Sequence, residues 1–143
     1  MKLVLVGTGY VGLVSGSCFA EFGYDVICVD KDESRISELK KGKCPFFEPG
    51  MEELLSKHRD QTKLLSFTTS LPEAMEGADI IFITVGTPSK RLEGDADLSA
   101  VWNVAKDIAN NIKKYSLVVT KSTVPVGTTK EIKKIISKIV PKE

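Results

Sequence analysis

The chain has 143 residues, 42% hydrophobic and 27% charged, with a formal net charge of +1. That is one domain's worth of ordinary globular chain, long enough to bury a substantial core. The lysines are scattered or lie on helix faces, which argues against a nucleic-acid partner, and no apolar run or N-terminal pattern reads as a membrane span or signal peptide. An apolar run from Leu3 to Gly7 predicts a strand near 2–6, so nothing is expected to precede the fold. It feeds directly into Gly7-Thr8-Gly9-Tyr10-Val11-Gly12 and a helix over 10–22. The apolar side of that helix reads Val11, Val14, Ser15, Cys18, Phe19 and Phe22, with Gly23 as its stop. A strand over 25–29 ends at Asp30, and a helix over about 33–41 follows.

A loop with Pro45 and Pro49 precedes a short helix near 50–58, with Met51, Leu54 and Leu55 on its apolar side. A strand at 64–67 leads to a helix opened by the capping box Ser70-Leu71-Pro72-Glu73. Asp79 to Val85 is a near-continuous apolar run, as expected of a central parallel strand. A loop with Gly86, Pro88, Gly94 and Asp95 separates it from a helix over 98–113, whose core stripe is Val101, Val104, Ala105, Ile108 and Ile112. The last pair is a strand at 117–120 and a helix carrying Ile132, Ile135, Ile136 and Ile139, entered through a second capping box, Thr128-Thr129-Lys130-Glu131, and ended by Pro141. Alternating strands and helices argue for an α/β fold, a doubly wound parallel sheet of the Rossmann type with helices on both faces. Five strands are visible where the full dinucleotide fold has six, so residues 1–143 read as one domain cut short near its C-terminal end.

A lone GxGxxG is a weak signal, but here it sits between a strand and a helix, with an acid at the end of the next strand. Gly7 would allow the sharp turn, Gly9 the close approach of a pyrophosphate, and Gly12 the packing of helix on sheet. The helix would offer unpaired N–H groups and its positive end to the phosphates. Asp30 would accept from the adenosine ribose hydroxyls and repel a 2′-phosphate, favouring NAD over NADP, although Lys31 and Arg35 are basic neighbours. The alternative is that Asp30 caps the helix beginning near Asp32.

Two further loops lie at strand ends, where open α/β sheets bind ligands. In Val85-Gly86-Thr87-Pro88-Ser89-Lys90, Gly86 permits close backbone approach and Thr87 brings a hydroxyl. In Lys121-Ser122-Thr123-Val124-Pro125-Val126-Gly127, small hydroxyl residues are stiffened by proline. Either loop could instead be a purely structural turn. The cysteines, Cys18, Cys28 and Cys44, form no CxxC pair and read as reduced thiols of a cytoplasmic protein, two of them on buried faces. His58 lies among charged residues and reads as a solvated side chain, and no metal site is indicated.

Gly7-Thr8-Gly9-Tyr10-Val11-Gly12-Leu13-Val14 resembles the opening of the UDP-glucose 6-dehydrogenase family, among the wider nucleotide-sugar dehydrogenases. The likeness runs through Val29-Asp30-Lys31-Asp32, the stretch from Gly42 to Gly50, Val85 to Ser89, Ala96-Asp97-Leu98 and Lys121 to Gly127. It implies an enzyme that oxidises UDP-glucose to UDP-glucuronate by two hydride transfers to NAD. By position, Gly7, Gly9, Tyr10, Val11 and Gly12 would hold the pyrophosphate, and Asp30 the ribose, with Arg35 nearby. Val85, Gly86, Thr87, Ser122 and Thr123 would lie along the cofactor. Thr123 is also the family threonine at the reacting centre, where it would position a water or the developing oxyanion.

The resemblance places the family's catalytic cysteine, lysine and asparagine beyond this chain, in a sugar-binding half with the central helix through which members commonly dimerise. The chain alone is therefore expected to bind NAD without turning over sugar. Cys44 does not match the catalytic cysteine, and as a nucleophile it would have only Lys43 in support. Oxidation of GDP-mannose or UDP-N-acetylmannosamine is the nearer alternative. A non-catalytic nucleotide-sensing domain is the more distant one, and it leaves the loops at 85–89 and 121–127 without a role.

Overall fold

Short apolar runs that must hide both faces pair into a sheet covered on both sides. The computed structural model describes residues 1–89 and 95–140; Lys90, Gly94 and Pro141, named above, fall outside them. Strands β1 (Lys2–Val6), β2 (Asp25–Val29), β3 (Leu65–Thr68), β4 (Ile80–Ile83) and β5 (Leu117–Thr120) form one parallel sheet in the order β3-β2-β1-β4-β5. The helices are α1 (Tyr10–Glu21), α2 (Glu33–Lys40), α3 (Met51–Ser56), α4 (Leu71–Met75), α5 (Ser99–Asn111) and α6 (Thr128–Ile139).

Alternate residues of each strand serve opposite cores. Leu3, Leu5, Val26, Cys28, Leu65 and Phe67 pack with α1, α2 and α3 through Leu13, Ile36, Leu39 and Leu55. Val4, Val6, Val29, Ile81 and Ile83 pack with α4, α5 and α6 through Ala74, Val101, Ala105, Ile108 and Ile132. The chain steps outward from β1 to β3 and then returns to place β4 on the other side of β1. This opens a crevice at the carboxyl ends of β1 and β4, where Gly7 and Thr84 stand.

The structure corrects several expectations. In α1 the buried residues are Gly12, Leu13, Gly16, Ser17 and Ala20, whereas Val11, Cys18 and Phe22 are exposed and Val14, Ser15 and Phe19 are half-buried. Apolar residues surround this helix, so their spacing did not select a face; close approach to the sheet did. A Cβ on Gly16 would stand 2.7 Å from Cys28 Sγ, so the small residues must face inward. Of the cysteines, only Cys28 is fully buried.

The capping box at Ser70 forms by half. Ser70 Oγ accepts from the Glu73 amide, but the Ser70 amide donates to Thr68 Oγ1. The second box does not form, because the N-cap of α6 is Gly127, with φ +94°, rather than Thr128. Thr128 instead donates its hydroxyl back to the Pro125 carbonyl at 2.7 Å.

His58 is buried, not solvated. It lies in a π-helical turn, Lys57–Gln61, that follows α3, and is 2% exposed. Its Nε2 meets Glu21 Oε2 and its Nδ1 meets Thr62 Oγ1 at 3.0 Å, while Lys57 Nζ reaches both Glu21 oxygens at 2.8 Å. Of the charged neighbours, Lys57 thus helps tie the turn to the end of α1, while Arg59 and Asp60 pair with each other. Replacing His58 with alanine should lower stability by about 1–3 kcal/mol, through a lost buried hydrogen bond and a cavity. A thermal melt equal to wild type would mean that the contact carries no energy.

Candidate functional site

The carboxyl ends of β1, β2 and β4, closed on one side by α5, enclose a cleft of about 700 Å³. Gly7, Thr8, Gly9, Asp30, Arg35, Val85 and Gly86 all line it. Its volume falls within the range of small-molecule and cofactor sites, roughly 300–1,000 Å³.

Two of the three glycines in the turn are required by the fold. Gly7 has φ +111°, its amide donates to the Val29 carbonyl at 2.7 Å, and a Cβ there would come within 2.8 Å of the Thr84 carbonyl oxygen. A Cβ on Gly12 would overlap the Gly7 carbonyl oxygen and stand 2.6 Å from Thr84 Oγ1. Gly9 differs. Its φ of −71° suits any residue, and a Cβ there would meet nothing within 4 Å. Gly86 likewise has open space around it. Packing explains neither of these two glycines, so the room they leave fits a group approaching the backbone. Gly9 begins α1 with no side-chain cap and no acid in the first turn, so the helix presents bare amides and an unopposed positive end.

Thr84, which sequence reasoning passed over, pins this turn. Buried at the end of β4, its hydroxyl donates to the carbonyls of Val6 and Gly7, each at 2.9 Å. Thr8 was also missed as a site residue. It is fully buried, and both its amide and its hydroxyl donate to Asp30 Oδ2, at 2.9 and 2.7 Å. Asp30 Oδ1 accepts from the Asp32 amide at 3.1 Å, and Arg35 Nη1 lies 3.4 Å from Oδ2. Burial works against the Asp30 charge, but the Thr8 hydroxyl and amide, the Asp32 amide and the Arg35 guanidinium outweigh it. They hold the carboxyl below its ordinary value of 3.8. Asp30 is not the cap of α2, since Asp32 Oδ1 takes the Arg35 amide in that role.

The remaining expected residues stand outside the cleft wall. Tyr10 and Val11 occupy the exposed first turn of α1, and the Tyr10 hydroxyl donates to Glu48 Oε2 at 2.7 Å. The loops after β4 and β5 are strapped together. Thr87 donates its hydroxyl to the Thr123 carbonyl at 2.8 Å, and Ser122 donates to the Val85 carbonyl at 2.7 Å. Two hydroxyls expected to face a ligand are therefore engaged between the loops, while Thr123 is exposed at the edge. On α5, Asn103, Lys106 and Asp107 form a polar cleft wall that sequence reasoning also missed. Their i, i+3, i+4 spacing opposite the core stripe was the available signal.

Among the described residues no group of three or more metal-ligating side chains occurs, and no helix is long and apolar enough to cross a membrane. Cys44 is not an activated thiol. Burial pushes its pKa up, and the nearby Glu52 and Glu48 carboxylates add to the rise. Burial also pushes Cys28 up to about 12.

A parallel sheet in this order, with a glycine turn at its switch point and an acid at the end of the second strand, defines a Rossmann-type dinucleotide-binding domain. Comparison with known proteins narrows the class. The model of the UDP-glucose/GDP-mannose dehydrogenase family, NAD binding domain, matches residues 1–143, and the chain belongs to that family as its NAD-binding domain. It is 53% identical over 141 residues to the UDP-glucose 6-dehydrogenase of Rhizobium meliloti, covering 99% of this chain and 32% of the relative. To UDP-glucose 6-dehydrogenase TuaD of Bacillus subtilis it is 49% identical over 138 residues, covering 96% and 29%. Its fold matches a crystal structure of a ternary complex of GDP-mannose dehydrogenase from Pseudomonas aeruginosa with a TM-score of 0.93 and 38% identity, over 100% of this chain and 33% of that one. The chain thus spans about a third of the length of these proteins.

Proposed function

We propose that this domain holds NAD for a UDP-glucose 6-dehydrogenase, with the adenosine ribose at Asp30 and the pyrophosphate over the turn from Gly7 to Gly12. The nicotinamide end then runs past Val85, Gly86 and Thr87 towards Ser122 and Thr123. NAD, when bound, supplies the hydride acceptor for oxidation of the sugar C6 alcohol to the carboxylate. The chain's own residues bind and orient it. The amides of α1 receive the phosphates, Asp30 receives a ribose hydroxyl, and Thr123 offers the hydroxyl nearest the reacting end. The straps from Thr87 and Ser122 keep the two far loops at a set separation. Residues outside 1–143 supply the sugar site and the catalytic cysteine. In this reading the whole protein is a dimer of the cytoplasm, and the names of the relatives favour UDP-glucose.

The observation that carries this reading is Gly9: a glycine that the fold does not need, at the head of an uncapped helix, facing the cleft. Calorimetric titration should show NAD binding one to one. Folded protein that takes up no NAD would overturn the reading. Assay of the whole protein against UDP-glucose, GDP-mannose and UDP-N-acetylmannosamine should give the highest kcat/KM for UDP-glucose, and a higher value for either of the others would reassign the substrate.

A further inference from the structure

The two oxygens of the Asp30 carboxylate have unequal surroundings. Oδ2 takes the Thr8 amide and hydroxyl and lies 3.4 Å from the Arg35 guanidinium, whereas among the described residues Oδ1 takes only the Asp32 amide. A carboxylate oxygen accepts along about two lone-pair directions. Oδ2 is therefore filled, and Oδ1 keeps one direction open for a ribose hydroxyl. Thr8 is fully buried, and among the described residues its hydroxyl donates to Asp30 Oδ2 alone. A swing of Asp30 away from this position would strand two buried donors, which is costly.

The same end of the cleft is lined by Lys31 and Arg35. Two cations there suit a phosphate on the ribose. What opposes that phosphate is the Asp30 carboxylate, and Thr8 supplies the two shortest of the bonds that immobilise it, beside the Asp32 amide and the Arg35 guanidinium. We infer that Thr8 is a specificity-determining residue: by gripping Oδ2 with both hydroxyl and amide, it keeps Asp30 turned with Oδ1 towards the 2′-hydroxyl, so that the site takes the dinucleotide lacking a 2′-phosphate. The inference rests on the assignment of Asp30 to the ribose. Thr8 acts through Asp30 and is a positioning residue, so its signature is a change in the ratio of two affinities rather than a loss of both.

The test is the dissociation constants for NAD and NADP, measured by calorimetry on wild type, Thr8→Val, Thr8→Ala, Thr8→Ser and Asp30→Ala. Loss of the hydroxyl in Thr8→Val should lower the preference for NAD over NADP by roughly tenfold, the worth of one charge-assisted hydrogen bond. Thr8→Ala should do the same if the valine variant does not fold. Thr8→Ser keeps the hydroxyl and should keep the preference to within about twofold. An equal weakening of both dinucleotides in the hydroxyl-less variants, or an unchanged ratio, overturns the proposal. Asp30→Ala separates the ribose contact from the role of Thr8. If it leaves both affinities unaltered, the ribose assignment itself fails. If it removes the preference while Thr8→Val and Thr8→Ala do not, only the role of Thr8 fails.

Discussion

A single methyl added at Gly12 is expected to cost the fold, whereas the same methyl at Gly9 should cost only the ligand. At Gly12 the new Cβ would run into the Gly7 carbonyl and the Thr84 hydroxyl. One of these is backbone and the other is held by two carbonyls, so neither can move aside cheaply. Gly12→Ala should therefore lose about 3 kcal/mol or more, at the upper end of overpacking effects. At Gly9 the Cβ would meet nothing, and φ is already ordinary. Gly9→Ala should melt close to wild type, within about 0.5 kcal/mol. Its NAD affinity should fall roughly ten- to a hundredfold, because the methyl occupies the path by which a pyrophosphate reaches the helix amides. Denaturant unfolding and calorimetric titration of both variants check the pair. Tight NAD binding by Gly9→Ala would remove the main support for the placement of the phosphates.

The second large effect concerns Asp30 and pH. Asp30→Asn keeps the shape but faces the Thr8 amide and hydroxyl with a neutral group, and should cost about 2–3 kcal/mol near neutrality. The sign of its pH dependence follows from the direction of the shift. The folded-state pKa is depressed, so the stabilisation is fully present above the ordinary value of 3.8 and is lost as pH falls through the lower folded-state value. The gap in stability between wild type and Asp30→Asn should thus be constant from neutrality down to about pH 5 and close below pH 3.8. A gap that persists unchanged to the acid limit would show that charge is not what Thr8 holds.

The parts of the site that could be read from sequence are those where backbone chemistry demands a residue type. Gly7 occupies a left-handed φ, Gly12 a contact with no room for a side chain, and Asp30 the end of a strand beside the turn. Each of these leaves a mark at a set spacing. Thr8 and Thr84 leave none. Each is an unremarkable threonine in sequence, and its role exists only because β1 lies between β2 and β4. Thr8 then reaches Asp30 across 22 positions, and Thr84 reaches Gly7 across 77. The polar face of α5 had a periodic signal, but a polar helix face is usually solvated, and only the packing turned it towards a cleft.

The sequence by itself determined the alternation of strands and helices, the doubly wound class and the glycine turn with its acid, because these follow from local propensity and fixed spacing; the family came from the resemblance of its motifs. The tertiary structure alone decided which face of α1 is buried, that His58 is interior, that the hydroxyls of Thr87 and Ser122 tie loop to loop, and that Thr8 grips one oxygen of Asp30. These depend on contacts between residues distant in the chain, where close approach and hydrogen-bond satisfaction, rather than periodicity, select among arrangements of similar local energy.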